Sequence, residues 1–274
     1  MGMNGAEADG RRAAGEFQER LDAVLARIER AARRAGRDPG AVTLVAASKT
    51  VSVERVLEAV VCGCRIFGEN RVQEALAKID ALKEWAGSEA PAAPGRARGA
   101  GASETIQMGA RAPVEIEWHF IGPLQPNKVK HAIGRFALLH AVDRLEVAER
   151  LDRAARERGI TQRVLLEVNV SGETTKHGFS PDDLAGAAER VGALAGVRVL
   201  GLMTIPPPAD KPEDARTHFR RLRELAAQVE ALGIPGVSMK ELSMGMSGDF
   251  DVAIEEGATM VRVGTALFGP RPVR

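Results

Sequence analysis

The segment TLVAAS at residues 43–48 is short and almost continuously apolar. This pattern is typical of a strand buried in a parallel sheet, where both faces of the strand are covered. Ahead of it, apolar side chains recur at helical spacing between Phe17 and Ile28. We expect this helix to stop near Gly36, because Pro39 follows. The sequence therefore starts with a helix that leads into a buried strand.

Strand-like and helix-like segments alternate after this first strand. Such alternation indicates an α/β fold with a parallel sheet. Eight strands in a chain of 274 residues favour a closed (β/α)8 barrel of the TIM type over an open doubly wound sheet, since such a barrel needs about 250 residues. The seven further predicted strands are 65–68, 118–122, 137–142, 163–170, 197–204, 237–242 and 260–264.

Two segments interrupt this regularity. Residues 1–14 are rich in Gly and Ala without periodicity, which predicts a flexible N-terminal tail. In residues 86–113, Ala, Gly or Pro occupy 17 of 28 positions. Such a composition cannot bury enough apolar surface to order itself, so we predict a disordered insertion, with a structured lid as the alternative. One barrel domain over residues 15–274 follows from this interpretation.

Composition excludes several classes of function. The chain has 38 basic and 37 acidic residues, which gives no reason to expect nucleic acid or an anionic membrane as a partner. It has no long apolar span and no signal-peptide core, and Cys62 and Cys64 form neither a disulfide framework nor a zinc motif. A cytoplasmic protein without a metal site is expected. Tyrosine is absent, so this chain supplies no phenolic acid–base.

Lys49 directly follows the strand at 43–48. Active sites of such barrels form at the C-terminal ends of the strands. Apolar surroundings lower the pKa of a lysine, and the neutral amine is a nucleophile that forms Schiff bases. The alternative is a lysine that only marks where the strand reaches solvent.

Two glycine-rich, hydroxyl-bearing loops lie near the C-terminus. Residues 243–248 (SMGMSG) follow the seventh strand, and Gly264 with Thr265 follows the eighth. In barrels these two loops often form a phosphate site, because glycine admits a ligand close to the backbone and helix N-termini present N–H groups. Ordinary helix capping is the alternative interpretation.

Two charged or titratable side chains are expected within strands. Arg262 lies in the eighth strand and must face a partner, because burial of a lone guanidinium is prohibitive. Either a ligand or an acid such as Glu167 could be that partner. His119 lies in the third predicted strand, where a hydrogen-bonded core histidine is the more common role.

Taken together, these features make the sequence closely resemble the pyridoxal phosphate homeostasis protein family. The resemblance extends over nearly the whole chain from about residue 15. The stretches that carry it are VAASKTVS (45–52), IFGENRVQE (66–74), EWHFIGPLQPNK (117–128), LLHAVDRLEVAERL (138–151), VLLEVNVSGETTKHGF (164–179), GLMTIP (201–206) and LSMGMSGDFDVAIEEGATMVRVGTALFG (242–269).

The resemblance implies a barrel of fold type III, similar to the N-terminal domain of alanine racemase, that binds pyridoxal 5′-phosphate (PLP). It implies an internal aldimine on Lys49 and an arginine, Arg262, that faces the pyridine nitrogen. The other residues that it places around the cofactor are Ser247, Gly264 and Thr265 at the phosphate, Ser243 nearby, and Asn70, His119, Asn169 and Met203 along the pocket.

The implied function is to bind, buffer or deliver PLP, without turnover of a substrate. An arginine partner leaves the pyridine nitrogen unprotonated, which weakens the cofactor as an electron sink. The tyrosine that serves as second base in alanine racemase has no counterpart here. The alternative is a racemase-like PLP enzyme that uses His119 or a cysteine as that base. PLP-dependent apo-enzymes are the expected recipients, and a monomer is the expected state.

Overall fold

The computed structural model describes the backbone of residues 5–87, 103–108, 111–173, 176–208 and 210–270. Side chains are described for these residues except 5–14, 86–87, 103–108 and 111–114. None of the described helices combines the length and the apolar character that crossing a bilayer requires.

The described strands form one sheet. In chain order they are β1 (Thr43–Ala47), β2 (Ile66–Glu69), β3 (Ser103–Met108), β4 (Arg111–Phe120), β5 (Leu138–Val142), β6 (Gln162–Glu167), β7 (Val197–Met203), β8 (Val237–Met246) and β9 (Met260–Val263).

Helices separate most of these strands. In chain order they are α1 (Gly5–Arg34), α2 (Val53–Val61), α3 (Val72–Gly87), α4 (Val129–Ala132), α5 (Leu145–Glu157), α6 (Leu184–Gly192), α7 (Arg216–Ala231), α8 (Phe250–Glu255) and α9 (Thr265–Phe268). Three short 3-10 turns, Pro39–Ala41, Pro126–Lys128 and Pro212–Ala215, complete the described elements.

Eight strands close into a parallel barrel, which confirms the predicted (β/α)8 fold. Strand β1 pairs in parallel with both β2 and β9, and β2 pairs in parallel with β4. The remaining neighbours, from β4 through β9, also pair in parallel in chain order. All eight C-terminal strand ends therefore open on one face of the barrel.

Helix α1 packs against three helices outside the barrel, α2, α8 and α9. Its residues Phe17, Leu21, Val24 and Ile28 are buried at the spacing that the sequence predicts. The helix ends at Arg34, and Gly36 has φ +66°, a backbone conformation in which glycine carries no steric penalty. The sequence therefore locates this helix terminus correctly.

The structure differs from the predicted N-terminal tail, because α1 begins at Gly5. Residues 5–14 are thus helical backbone, and only residues 1–4 lie outside the described part. The sequence GAEADGRRAA is rich in alanine, arginine and glutamate, which have high helix propensity. Extension of an existing helix also avoids the cost of nucleation.

The structure also differs from the predicted disordered insertion at 86–113. Helix α3 continues to Gly87, residues 103–108 form β3, and residues 111–113 belong to β4. Strand β3 pairs antiparallel with β4, outside the parallel barrel. The high share of Ala, Gly and Pro over the whole segment obscures the short stretch SETIQM at 103–108, which contains none of them. This stretch forms a strand by pairing with β4. Residues 88–102 and 109–110 fall outside the described residues.

The barrel interior has its own small apolar cluster, separate from the larger core between sheet and helices. Inward-facing side chains of neighbouring strands form it, and they leave the remaining interior positions to polar groups. Its buried members are Val45, Ala47, Ile121, Leu138, Ala141, Leu165, Met203 and Met260.

Candidate functional site

Lys49 lies at the C-terminal mouth of the barrel, two residues after β1 ends at Ala47. Its side chain is half-buried and lines a cavity of about 420 Å³, together with Gly264 and Thr265. The following residue, Thr50, has φ +67°, which is unfavourable for a β-branched side chain. The structure therefore brings Lys49 together with two of the residues predicted to hold phosphate.

A buried ion pair supports the backbone just before Lys49. Lys78 of α3 donates from Nζ to the Ser48 carbonyl at 2.8 Å and to Glu69 Oε1 at 2.6 Å. The Ser48 hydroxyl also donates to Glu69 Oε1, at 2.6 Å. Glu69 is fully buried, and this burial raises the pKa of its carboxyl despite the neighbouring lysine. These contacts connect α3 with the ends of β1 and β2.

Ser247 joins the loop after β8 to the start of α9. Its Oγ accepts hydrogen bonds from the backbone N–H groups of Gly264 and Ala266, both at 3.2 Å. Thr265 between them is exposed. The predicted phosphate residues thus form one cluster of hydroxyl and N–H donors at the edge of the Lys49 cavity.

Arg262 is buried inside the barrel, with 4% of its surface exposed. It donates from Nη1 to Ser243 Oγ at 2.5 Å and from Nη2 to the Thr204 carbonyl at 2.9 Å. Burial lowers the pKa of this guanidinium to about 10, although the charges of Glu167 and Asp249 act in the opposite direction. Arg262 therefore hydrogen-bonds a hydroxyl and a carbonyl rather than a carboxylate.

Two histidines continue this hydrogen-bonded series. His140 Nδ1 lies 2.8 Å from Ser243 Oγ, and His140 Nε2 lies 2.9 Å from His119 Nδ1. On its other side, His119 Nε2 lies 3.6 Å from Glu117 Oε2. Desolvation, reinforced by His119 and Arg262, holds the pKa of His140 well below its usual value. His140 is therefore neutral at physiological pH.

A second, larger cavity of about 690 Å³ opens beside β6, β7 and β8. It is lined by Glu167, Asn169, Ile205 and Met246, among others. Glu167 is 93% buried, and within the described part of the chain its Oε2 makes no hydrogen bond. Desolvation and the nearby Asp143 raise the pKa of Glu167 to about 7.

The remaining predicted site residues are dispersed. Met203 is fully buried at the end of β7, within the inner apolar cluster. Asn169 donates from Nδ2 to the Glu173 carbonyl, and its Oδ1 accepts from Ser171, so its side chain orders its own loop. Asn70 lines a separate groove rather than the Lys49 cavity.

His119 is the penultimate residue of β4. It lines a small cavity of about 170 Å³ together with residues such as Thr43 and Arg163, which are the first residue of β1 and the second residue of β6. Its nitrogens are directed to His140 and Glu117. The structure therefore does not bring His119 into the Lys49 cavity.

Sequence reasoning missed three residues of this region. Arg55 lines the Lys49 cavity and donates to the Phe268 carbonyl at 3.1 Å; its place in the first turn after the lysine loop was an available signal. Glu167 was considered only as a partner of Arg262. His140 had no signal, because its contacts with Ser243 and His119 span 103 and 21 residues.

The thiols are poor bases or nucleophiles at neutral pH. Burial raises the pKa of Cys64 to about 12 and also raises the pKa of Cys62. Among the described residues, no group of three or more His, Cys, Asp and Glu side chains could hold a metal ion.

Comparison with known proteins defines the class of this barrel. The family model for the alanine racemase N-terminal domain matches residues 20–272. The parallel closure of the eight strands agrees with that match. The chain is therefore a barrel of the alanine racemase N-terminal type.

The relatives narrow this class further. The pyridoxal phosphate homeostasis protein of Aquifex aeolicus is 46% identical over 253 residues, which are 92% of this chain and 97% of that protein. The protein of the same name from Pseudomonas aeruginosa is 42% identical over 254 residues, covering 92% and 95%. This chain belongs to the pyridoxal phosphate homeostasis protein family, as the sequence resemblance indicates.

A solved structure of a similar protein contains the cofactor. PipY of Synechococcus elongatus PCC7942, with PLP bound, superposes with a TM-score of 0.71 at 33% identity, covering 92% of this chain and 100% of that chain.

Proposed function

We propose that this protein binds PLP and takes part in its homeostasis, as the names of its relatives state for those proteins. The observation that carries this proposal is the joint placement of Lys49, Gly264 and Thr265 around one cavity at the barrel mouth. A cavity of a few hundred Å³ with convergent polar groups is typical of a cofactor site.

The donor set suits the three polar parts of PLP. The amine of Lys49 would hold the aldehyde as a Schiff base. Ser247, Thr265 and the N–H groups of Gly264 and Ala266 would hold the phosphate, whose oxygens would replace Ser247 Oγ as the acceptor of these two N–H groups. Arg262 would face the pyridine nitrogen, with Ser243 as its support. When bound, the cofactor supplies a reactive carbonyl carbon to amines.

The remaining predicted residues contribute shape in this proposal. Met203 would form an apolar wall, and Asn169 would hold the loop after β6. His119 would act only through His140, since it contacts His140 and does not line the Lys49 cavity. Asn70 would keep the β2 end in place: a Cβ on Gly122 would meet Asn70 Cβ at 2.7 Å, so the two loops are in close contact.

We propose a carrier rather than an enzyme. A guanidinium cannot protonate the pyridine nitrogen in the way a carboxylic acid does, so carbanions would be poorly stabilised. His119 is engaged inside the barrel, and the thiols have raised pKa values. The proposal extends to a cytoplasmic monomer that delivers PLP to apo-enzymes. Addition of an apo-PLP enzyme to the loaded protein, followed by recovery of that enzyme's activity, tests delivery.

One observation favours the racemase-like alternative. Glu167 is a buried carboxyl with a raised pKa on the second cavity, so it could exchange a proton with a bound ligand. Chiral chromatography of L-alanine incubated with the purified protein measures this activity. We expect no racemisation; turnover that Lys49→Ala or Glu167→Gln abolishes would replace the carrier proposal.

Lys49 is the residue that we expect to carry the cofactor. Purified protein incubated with PLP should show a visible Schiff-base absorption band, and borohydride followed by peptide mapping should locate the modification on Lys49. Lys49→Ala should lose the band and keep the fold, because the side chain is half-buried at the barrel mouth. Absorbance and circular dichroism spectra of the two proteins measure both properties.

Lys240→Ala is the matched control, because Lys240 is an exposed lysine of β8. It should keep the band. A band that persists in Lys49→Ala would mean that another lysine carries the cofactor.

A further inference from the structure

A continuous series of polar side chains crosses the barrel interior from Arg262 to Glu117. The successive contacts are Arg262 Nη1 to Ser243 Oγ at 2.5 Å, Ser243 Oγ to His140 Nδ1 at 2.8 Å, and His140 Nε2 to His119 Nδ1 at 2.9 Å. His119 Nε2 then faces Glu117 Oε2 at 3.6 Å. The four residues from Arg262 to His119 are buried, with exposed fractions of 4% or less.

The direction of every hydrogen bond in this series follows from Arg262. A guanidinium only donates, so Ser243 Oγ accepts from it. Ser243 is fully buried, and among the described residues His140 Nδ1 is the acceptor within reach of its hydroxyl proton. An unsatisfied buried hydroxyl would cost about 1–3 kcal/mol, so Ser243 donates to His140.

The same logic assigns both histidine tautomers. Since Nδ1 of His140 accepts, the proton of the neutral ring is on Nε2 and is donated to His119 Nδ1. The proton of a neutral His119 is then also on Nε2, which faces the Glu117 carboxylate. Each hydrogen bond points from Arg262 toward Glu117, and bonds aligned in this way strengthen one another.

We propose that His140 is a positioning residue for Arg262, acting through Ser243. Because His140 accepts the hydrogen bond that the Ser243 hydroxyl donates, a lone pair of the Ser243 oxygen is directed at Arg262 Nη1. Only this bond and the one from Nη2 to the Thr204 carbonyl are formed by the guanidinium among the described residues. Its direction therefore depends on a histidine that it does not touch. The consequence for PLP rests on the proposed function; the tautomer assignment does not.

Nitrogen-15 NMR of the imidazole rings tests the hydrogen-bond direction without any cofactor. We expect both His140 and His119 of the cofactor-free protein to carry their proton on Nε2. In Ser243→Ala, where His140 Nδ1 loses its donor, the His140 tautomers should redistribute. A proton on Nδ1 of His140 in the unaltered protein overturns the proposal, and so does an unchanged spectrum of His140 in Ser243→Ala.

A pair of variants tests the consequence for binding. The amide oxygen of His140→Asn can accept from Ser243 in place of Nδ1, whereas His140→Leu offers no acceptor. PLP titrations followed by absorbance should show binding weakened roughly tenfold or more in His140→Leu, the scale of a hydrogen bond to a charged group. His140→Asn should stay within about threefold of the unaltered protein, with the same absorption maximum.

Equal weakening in both variants would indicate a role in packing alone and overturn the proposal, as would equal affinity in all three proteins. If His140→Leu does not fold, the NMR comparison of the unaltered protein with Ser243→Ala still tests whether His140 accepts a hydrogen bond from Ser243. Failure of the unaltered protein to bind PLP would contradict the proposed function instead. The NMR experiment on the cofactor-free protein would still test the direction of the hydrogen bonds.

Discussion

Glu167 shows how a single side chain can make stability depend on pH. Its pKa is raised from the ordinary value of 4.5 to about 7, mainly by desolvation and then by Asp143. The folded protein therefore binds this proton more tightly than the unfolded chain does. The stabilisation is complete below about pH 4.5 and is lost as the pH rises through about 7.

Glu167→Gln should remove this dependence, because glutamine does not titrate. Urea unfolding at pH 4.5 and at pH 8 should show the variant gaining stability relative to the unaltered protein, by on the order of 3 kcal/mol across that interval. The exposed Glu157→Gln is the control for the change in charge and should show no such trend. A gain for Glu167→Gln at acid pH instead of alkaline pH would contradict the assignment.

Residues at strand ends are the ones that sequence reasoning located well. Lys49, Gly264 and Thr265 each lie within two residues of the end of an apolar strand, and in a parallel barrel all such positions meet at one face. The depth of His119, by contrast, does not follow from its place in the sequence: it is the penultimate residue of β4, yet it is in register with Leu138, the first residue of β5. Depth depends on the stagger between neighbouring strands, which their sequences do not encode locally.

At the scale of elements, a buried ion pair fixes α3 to the ends of β1 and β2. Lys78→Met leaves the carboxylate of the fully buried Glu69 without its cation. We expect a loss of about 3–5 kcal/mol in the free energy of unfolding, measured with urea. The double variant Lys78→Met/Glu69→Gln should recover most of that loss, because the unpaired charge is gone and Ser48 keeps an acceptor.

An exposed pair within α1 provides the comparison. Arg33 and Glu29 are 2.7 Å apart but largely exposed, so Arg33→Ala should cost less than about 1 kcal/mol. An equal loss in the free energy of unfolding for Lys78→Met and Arg33→Ala would show that the Lys78–Glu69 pair does not behave as a buried ion pair. Sequence patterns predicted the strands at 43–48 and 65–68, but not this pair. Lys78 and Glu69 lie on a helix and a strand whose relative orientation is set by packing.

At the scale of the whole molecule, the first and last helices meet. Phe17 of α1 is fully buried, and its ring centroid lies 5.3 Å from that of Phe268 in α9. Phe268 also lines the Lys49 cavity. The N-terminal helix therefore supports one wall of the candidate site.

Phe17→Ala should lower the free energy of unfolding by about 3–5 kcal/mol, because it opens a cavity in the core. It should also weaken PLP binding, since Phe268 loses its support. Denaturant unfolding and a PLP titration measure the two effects. Leu25→Ala on the same helix is the control: Leu25 is 46% exposed, and we expect a loss below about 1 kcal/mol. A loss for Phe17→Ala no larger than that of the control would exclude this bracing role.

The sequence by itself determined the barrel, the end of α1 and the lysine and glycine positions at the mouth. These depend on local patterns: apolar runs, helical periodicity and the residues that terminate them. Tertiary structure alone decided that β3 pairs with β4, that Lys78 meets Glu69, and that Arg262 connects through Ser243 and His140 to His119. The contacts of Arg262, Ser243, His140 and His119 span 19 to 103 residues, and even the nearer pairs depend on how neighbouring elements are oriented. All of them therefore follow from strand register and packing in the folded barrel rather than from any local pattern.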